Sequence, residues 1–478
     1  MSNEDSVGSR RSWPDYRTVW RWHFYAGMFC IPFVLVLSIT GTIYLFKPQI
    51  ESWEERRFDQ LVSPGEPQPL RQQIDAATAS LPGGLFEALE LPQREGQLSA
   101  TRVLVRSQSE TQRVFVDPVT LGVLGSLREK GRIANVAKEL HGELLLGKRG
   151  SYLVELAASW TLIMVVTGIV LWWPRSGGRI AGVVYPRITK SGRTFWRDVH
   201  SVGGVWVSAL VVFLIVTGLP WATFWGDYFK GIRQMTGTAV AQQSWEGGHG
   251  EHSGHVQQDH SQATPSGDHA AHDRSRSAGK NKDGKANGHG PSWKKGPVDP
   301  SAYLLSEIDR AVPLAMQLGM AHPVLVRPVA NVAATWEVDS ITPNRPLRQT
   351  WHINLASGEQ RVTSNFADRH WVDRMVSQGI ALHEGQRFGI ANQLLALMAT
   401  TGLVMLSGSG MVMWWRRRKP GSLGIPKRFA WHDERVSSPR LVGLLAIIAT
   451  LAGALPLFGA SLVMVLVLDR LFQRLKRV

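Results

Sequence analysis

The sequence contains a single cysteine, Cys30, among 478 residues, so no intrachain disulfide is possible. No Gly-x-Gly-x-x-Gly follows a strand-like run, and neither a phosphate-binding loop nor a zinc-protease helix motif is present. The chain thus has no nicotinamide or flavin domain of its own. Acid is scarce: 38 Asp and Glu stand against 53 Lys and Arg, a net charge of +15. The loop 174–197 has no acidic residue at all. No small-residue cleavage site follows the first apolar run, which is expected to be an uncleaved anchor.

The positive excess does not point to nucleic acid, because it flanks apolar runs. It gathers at Arg10, Arg11, Arg17 and Arg21, then at Arg175, Arg179, Arg187, Lys190, Arg193 and Arg197. It gathers again at Arg416 to Lys419, with Lys427, Arg428, Arg435 and Arg440. That is the pattern of cytoplasmic loops beside membrane helices. Several segments are nearly charge-free over 20 residues, enough to cross a hydrocarbon core of ~30 Å at 1.5 Å per residue. An α-helical integral membrane protein in a lipid bilayer is expected, with polar stretches outside it.

The expected order begins with a cytoplasmic basic tail, 1–22, and a first span, 23–46. A soluble α+β insert, 47–140, precedes a second span with a leading histidine segment, 141–173. A cytoplasmic loop, 174–199, and a third span, 200–224, follow. The second insert is 225–381, of which 247–296 is a His-rich, low-complexity linker and 297–381 an α+β module. A fourth span with a leading histidine, 382–415, leads through a cytoplasmic loop, 416–440, to a last apolar stretch, 441–468, and a basic tail, 469–478. That last stretch would make ~42 Å of helix. Pro456 near its middle predicts a kink or a helical hairpin.

Four histidines recur in register. His141 and His383 each stand 31 residues before a Trp-Trp pair, Trp172-Trp173 and Trp414-Trp415, and six before a glycine, Gly147 and Gly389. His23 and His200 each precede a glycine by four residues, Gly27 and Gly204, and a Thr-Gly pair by 17, Thr40-Gly41 and Thr217-Gly218. The unit is span, insert, span, used twice in one orientation: a tandem parallel repeat. Corresponding spans place His23 with His200 near the inner face and His141 with His383 near the outer face. Two neutral imidazoles at one depth can clamp a haem within a four-helix bundle. Gly27, Gly203, Gly204, Gly147 and Gly389 would leave room for the flat ring. The residues alone leave a second reading open, in which a duplication has kept the histidines for packing.

The duplicated histidine-led spans, the Trp-Trp stops, the turn Val116-Asp117-Pro118-Val119-Thr120-Leu121-Gly122 and the closing Pro456-Leu457-Phe458-Gly459 with Ser461 and Leu468-Asp469-Arg470 resemble PepSY-associated transmembrane proteins. The resemblance covers nearly the whole chain outside the His-rich linker. It implies a bacterial inner-membrane protein with a cytoplasmic N-terminus and two periplasmic PepSY-like inserts. Some members are b-haem ferric-siderophore reductases, which implies two haem b groups held by His23, His200, His141 and His383, and a ferric siderophore as substrate. Other roles linked to such modules are binding or inhibition of a peptidase. The second insert departs from the pattern, with Asn354-Leu355 in place of Asp117-Pro118.

Around the expected haem edges, Arg21, Arg193 and Arg197 inside and Lys148, Arg149 and Arg387 outside are candidate propionate partners. Glu155, just inside the second span, is a candidate for pairing with a ligand histidine or for proton transfer. The Trp-Trp pairs fit an interfacial belt, and Met398, Met405, Met411 and Met413 fit core or lipid packing. In the linker, His249, His252, His255, His260, His269, His272 and His289 suit loose binding of copper or another divalent metal, without the spacing of a structural site.

Overall fold

The computed structural model describes residues 16–93, 98–174, 180–238, 307–329, 332, 334–419, 421–422 and 439–475. In chain order its helices are α1 (Tyr16–Leu45), α2 (Lys47–Glu55), α3 (Leu70–Ala79), α4 (Ile133–Glu143), α5 (Lys148–Trp172), α6 (Gly192–Gly218) and α7 (Thr223–Met235). They continue with α8 (Ile308–Gln317), α9 (Trp371–His383), α10 (Ile390–Arg417), α11 (Pro439–Ala454) and α12 (Pro456–Leu475). The strands are β1 (Leu85–Glu90), β2 (Thr101–Ser107), β3 (Glu110–Val116), β4 (Val123–Arg128), β5 (Val324–Pro328), β6 (Thr335–Ser340), β7 (Thr350–Asn354) and β8 (Gln360–Ser364).

Among the described residues, four helices are long and apolar enough to cross a membrane: α1, α5, α10, and α6 with the short turn that extends it to Trp221. In hydrocarbon a helix satisfies its own backbone, so long apolar runs fold this way. Hydroxyls inside them bond back to their own helix, as Thr40 Oγ1 does to the Val36 carbonyl (2.8 Å) and Thr161 Oγ1 to that of Ala157 (2.8 Å). α1 packs on α5 and α10, and α6 packs on the same two, which leaves α1 and α6 diagonally opposed in a four-helix bundle. α11 and α12 are inclined by 120° at a break beside Pro456, so the last apolar stretch is not one straight rod. Pro456 has no N–H to continue the helical ladder. Leu455 and Phe458 at this bend are buried against Leu162 and Ile163 of α5, and Trp160 Nε1 donates to Ser461 Oγ at 3.1 Å.

The histidine-led spans differ from continuous helices. His141 lies near the end of α4 and His383 is the last residue of α9, while the spans proper begin at Lys148 and Ile390. The chain turns between each pair of helices. Gly147 and Gly389 make the same turn, at φ/ψ of 58°/−140° and 58°/−137°, a conformation that a Cβ disfavours. The six-residue spacing from histidine to glycine encodes this corner.

The strands of both inserts form one antiparallel sheet, in the order β4-β3-β2-β1-β5-β6-β7-β8. The join is the β1–β5 pair, with Leu89 opposite Val326 and Glu90 opposite Leu325. One core covers one face of β1 to β3 and β5 to β7. Ile74 and Ala77 of α3 and Ile308, Ala311, Val312 and Ala315 of α8 pack there on Phe86, Leu89, Val103, Val326, Trp336 and Val338. Asp309 Oδ1 of α8 accepts from the Leu70 N–H at the start of α3 at 2.7 Å. The departure at Asn354 is conservative in structure. Asp117 Oδ1 accepts the Val119 and Thr120 N–H groups at 2.9 and 3.2 Å, and Asn354 Oδ1 accepts those of Ala356 and Ser357 at 2.9 Å each. A side-chain oxygen two residues back is what this turn needs, and either residue supplies it.

The first insert is anchored to the end of α1 through α2. Arg102 Nε donates to Glu55 at 2.8 Å, Arg132 Nε to Glu54 at 3.0 Å, and Arg113 Nε to Glu129 at 2.8 Å, with Glu90 also paired to Arg113. Burial alone would raise the pKa of Glu55, but Arg113, Arg102 and Arg132 outweigh it and hold the carboxyl below its usual range.

Candidate functional site

The structure brings the four recurrent histidines together as two facing pairs. His23 of α1 and His200 of α6 have ring centres 6.2 Å apart and planes inclined by 88°. His141 of α4 and His383 of α9 have centres 6.3 Å apart and planes inclined by 80°. His23 and Thr40 both lie on α1, and Thr40 touches His141, so the two pairs are about 25 Å apart along the bundle at 1.5 Å per residue.

Each ring is held in the same way. His23 Nδ1 meets Thr167 Oγ1 at 3.0 Å, and that hydroxyl already donates to the Ile163 carbonyl at 2.7 Å. His383 Nδ1 meets Thr217 Oγ1 at 3.0 Å, whose proton goes to the Phe213 carbonyl at 2.8 Å. His141 Nδ1 reaches the Leu37 carbonyl at 3.0 Å and Thr40 Oγ1 at 3.2 Å; His200 Nδ1 reaches the Leu406 carbonyl and Ser409 Oγ, both at 3.1 Å. A carbonyl can only accept, and so can a hydroxyl whose proton is committed elsewhere. Each Nδ1 thus donates, which in a neutral imidazole leaves Nε2 without a proton. Among the described residues, none of the four Nε2 atoms has a protein hydrogen-bond partner.

A glycine follows each of these hydroxyl residues, and the imidazole lies against it. A Cβ at Gly41 would sit 3.0 Å from His141 Cε1, one at Gly168 3.2 Å from His23 Cε1, one at Gly218 3.2 Å from His383 Cε1, and one at Gly410 3.5 Å from His200 Cε1. The hydroxyl-glycine pair is thus a seat for an imidazole, used four times. Thr40-Gly41 and Thr217-Gly218 were visible as spaced pairs in the sequence. Thr167-Gly168 and Ser409-Gly410 were missed, although each lies 26 residues after a histidine, His141 and His383. Of the glycines expected to make room for a ring, Gly27 faces Met164, Gly203 faces Met405 and Gly204 faces Leu406, while a Cβ at Gly147 or Gly389 would meet nothing within 4 Å.

The geometry suits one metal shared by each pair. Metal–imidazole bonds of about 2.0 Å, with roughly 1.1 Å from nitrogen to ring centre, put the two centres about 6.2 Å apart. A hydrogen bond on the other ring nitrogen is the usual means of fixing the tautomer and orientation of a ligand histidine. The four histidines thus fit axial ligation of two haem irons.

The other expected residues divide. Arg21, two residues before His23, has its Nε closed off from solvent without a hydrogen-bond partner. Arg193, at the start of α6, is exposed. Arg197 is 58% exposed at its side chain and pairs with Asp198 at 2.9 Å. Lys148 and Arg149 are exposed on the first turn of α5. Arg387 Nε donates to Gln378 at 2.8 Å. Glu155 contacts none of the four histidines: its Oε2 accepts the Trp225 N–H at 3.1 Å while Ser151 Oγ accepts that of Thr223 at 3.1 Å. Together they cap α7, whose first N–H groups have no partner within the helix. Trp173 and Trp415 are exposed, as are Met398, Met405 and Met411. The seven linker histidines, His249 to His289, lie outside the described residues.

An apolar helical bundle continuous with an antiparallel sheet defines a multi-pass membrane protein. The family model described as the PepSY-associated TM region matches residues 20–417, over four fifths of the sequence, and the chain belongs to that family. No curated protein matches it.

Proposed function

We propose that this protein is an inner-membrane b-haem electron-transfer protein that reduces a ferric siderophore on the periplasmic side. The observation that carries the reading is the pair of facing histidine couples, each at the spacing of two axial ligands and each ring held through Nδ1. His23 and His200 would hold the inner haem, and His141 and His383 the outer one. When bound, haem b supplies a one-electron ferric/ferrous couple whose potential depends on its axial ligands and their hydrogen bonds. The chain's own part is to fix the imidazoles through Thr167, Ser409, Thr40 and Thr217. Arg21 offers a cation near the inner couple. The electron donor is quinol or a separate cytoplasmic reductase. One electron delivered to Fe³⁺ leaves Fe²⁺, for which the hard oxygen ligands of a siderophore have lower affinity, and the metal is released.

We read the chain as span, insert and span used twice in one orientation, with a cytoplasmic N-terminus. Support comes from recurrence: His23 with Thr167-Gly168 matches His200 with Ser409-Gly410, and His141 with Thr40-Gly41 matches His383 with Thr217-Gly218. The strand order also runs outward symmetrically from β1 and β5. The basic loops set the orientation. The test is reduction of a ferric siderophore by purified protein in liposomes with a reductant confined to one side. Fe²⁺ trapped by a chelator on the far side supports the reading; no Fe²⁺ above protein-free liposomes overturns it.

A further inference from the structure

Beside the outer histidine pair, a turn and a helix bring three cations together, Arg345 buried and Arg348 and Lys138 half-buried. Arg345 begins a short turn after β6 and Arg348 follows it; Lys138 lies on α4, three residues before His141. Arg345 is 4% exposed. Its Nη2 makes a long contact to Glu384 Oε1 at 3.4 Å, and its Nε and Nη1 are closed off from solvent with no hydrogen-bond partner. The guanidinium lies 4.8 Å over the ring of Trp221. Arg348 Nε donates to the Thr342 carbonyl at 2.7 Å.

These groups repel one another. Burial first, and then Lys47, Arg345 and Arg348, lower the Lys138 pKa to about 8, with Glu384 opposing. Burial and Arg345 lower that of Arg348 to about 10, with Glu384 and Asp339 opposing; Asp339 is itself paired to Arg327 at 2.9 Å. Glu384 directly follows His383, and Trp221 stands three residues after Gly218, which abuts His383. The cluster therefore lies at the outer pair. A buried guanidinium with unpartnered donors, as at Arg345, is costly unless an anion completes it.

We propose that Arg345, Arg348 and Lys138 cradle a carboxylate at the outer histidine pair. The guanidinium fork matches a carboxylate, and the unpartnered Nε and Nη1 of Arg345 are the donors it would take. Two sources offer that group: a propionate of a porphyrin held by His141 and His383, and a carboxylate of a free metal chelate. The first source rests on the function proposed above, and the second does not. Neither source uses Lys148 or Arg149, the exposed cations of the α5 start.

The test uses the full chain in detergent, as wild type and as Arg345→Gln, Arg348→Gln and Arg345→Lys. The probes are haem b, its dimethyl ester and citrate, and occupancy of the inner pair reports folding. For the porphyrin source, either Gln variant weakens haem binding at the outer pair about tenfold or more. The ester then binds wild type and the Gln variants equally weakly, and Arg345→Lys recovers part of the loss. For the free source, outer haem is retained alike while citrate binds wild type and not the Gln variants. Gln variants that match wild type for haem and for citrate overturn the proposal. If Arg345→Gln loses the inner haem as well, Arg348→Gln, which leaves the Arg345–Glu384 contact in place, decides. A wild type that binds no haem refutes the haem reading alone, and the citrate arm still judges the cradle.

Discussion

The imidazoles of His141 and His383 face each other with ring centres 6.3 Å apart, although they lie on different halves of the chain. Each is seated on the end of an earlier span: His141 on Thr40-Gly41 of α1, His383 on Thr217-Gly218 of α6. The same arrangement, with α1 and α6 now carrying the histidines, forms the inner pair. A hydroxyl that accepts from Nδ1–H and a glycine that admits Cε1 are the whole requirement. This has consequences for binding, for packing and for pH.

Thr167→Val removes the hydroxyl acceptor of His23 Nδ1 while preserving side-chain shape. Loss of such a second partner typically weakens metal binding about 10- to 100-fold. The expected result is weaker haem retention at the inner pair with the outer pair unchanged, measured by haem transfer to a scavenger protein. Ser409→Ala should weaken the same site less, because His200 keeps the Leu406 carbonyl at 3.1 Å.

The seat glycines should show graded tolerance. Alanine at Gly410 meets His200 Cε1 at 3.5 Å, an ordinary contact, and should leave the inner spectrum unchanged. Alanine at Gly41 meets His141 Cε1 at 3.0 Å and must push the ring by a few tenths of an ångström. Gly41→Ala should therefore shift the outer midpoint potential or weaken that haem, seen by redox titration.

Asn354→Asp should fold like the wild type, since Asp117 makes the same turn in the first insert. Asn354→Ala strips acceptors from two N–H groups and should cost about 1 kcal/mol. Thermal unfolding of the two variants in one detergent checks the order.

Stability should rise with pH above about 8, partly through Lys138. Its pKa is about 8 when folded and 10.5 by reference, so the unfolded chain binds more protons between those values. A depressed amine destabilises the folded state fully below the folded value, and that penalty is relieved as pH rises through the window. Lys138→Met should flatten the rise in melting temperature from about pH 8 to 10.5.

The sequence was most informative where geometry is local or repeated. The spans were legible from apolar length, and the turn at Asp117 from one Asp-Pro step. The six-residue gap from His141 to Gly147 was legible as a pattern but not as a corner between two helices. α2 and α7 are short and amphipathic, without the long apolar run that betrays α1 or α6. The joining of both inserts into one sheet depends on pairing Leu89 with Val326, a contact far apart in the chain that no local pattern encodes. Arg345 and Lys138 escaped notice for the same reason: only the fold brings a turn after β6 beside α4. Lys148 and Arg149 drew attention by closeness in sequence to His141, yet they are exposed.

The central claim is that each histidine pair holds one haem. Reduced-minus-oxidised spectra and haem stoichiometry of the wild type and of His23→Ala, His200→Ala, His141→Ala and His383→Ala test it most directly. The account predicts two b-type haems per chain in the wild type. Either inner replacement should remove one haem and leave the other intact, and either outer replacement should remove the remaining one. A wild type without b-type absorbance, or replacements that leave both haems in place, would contradict it.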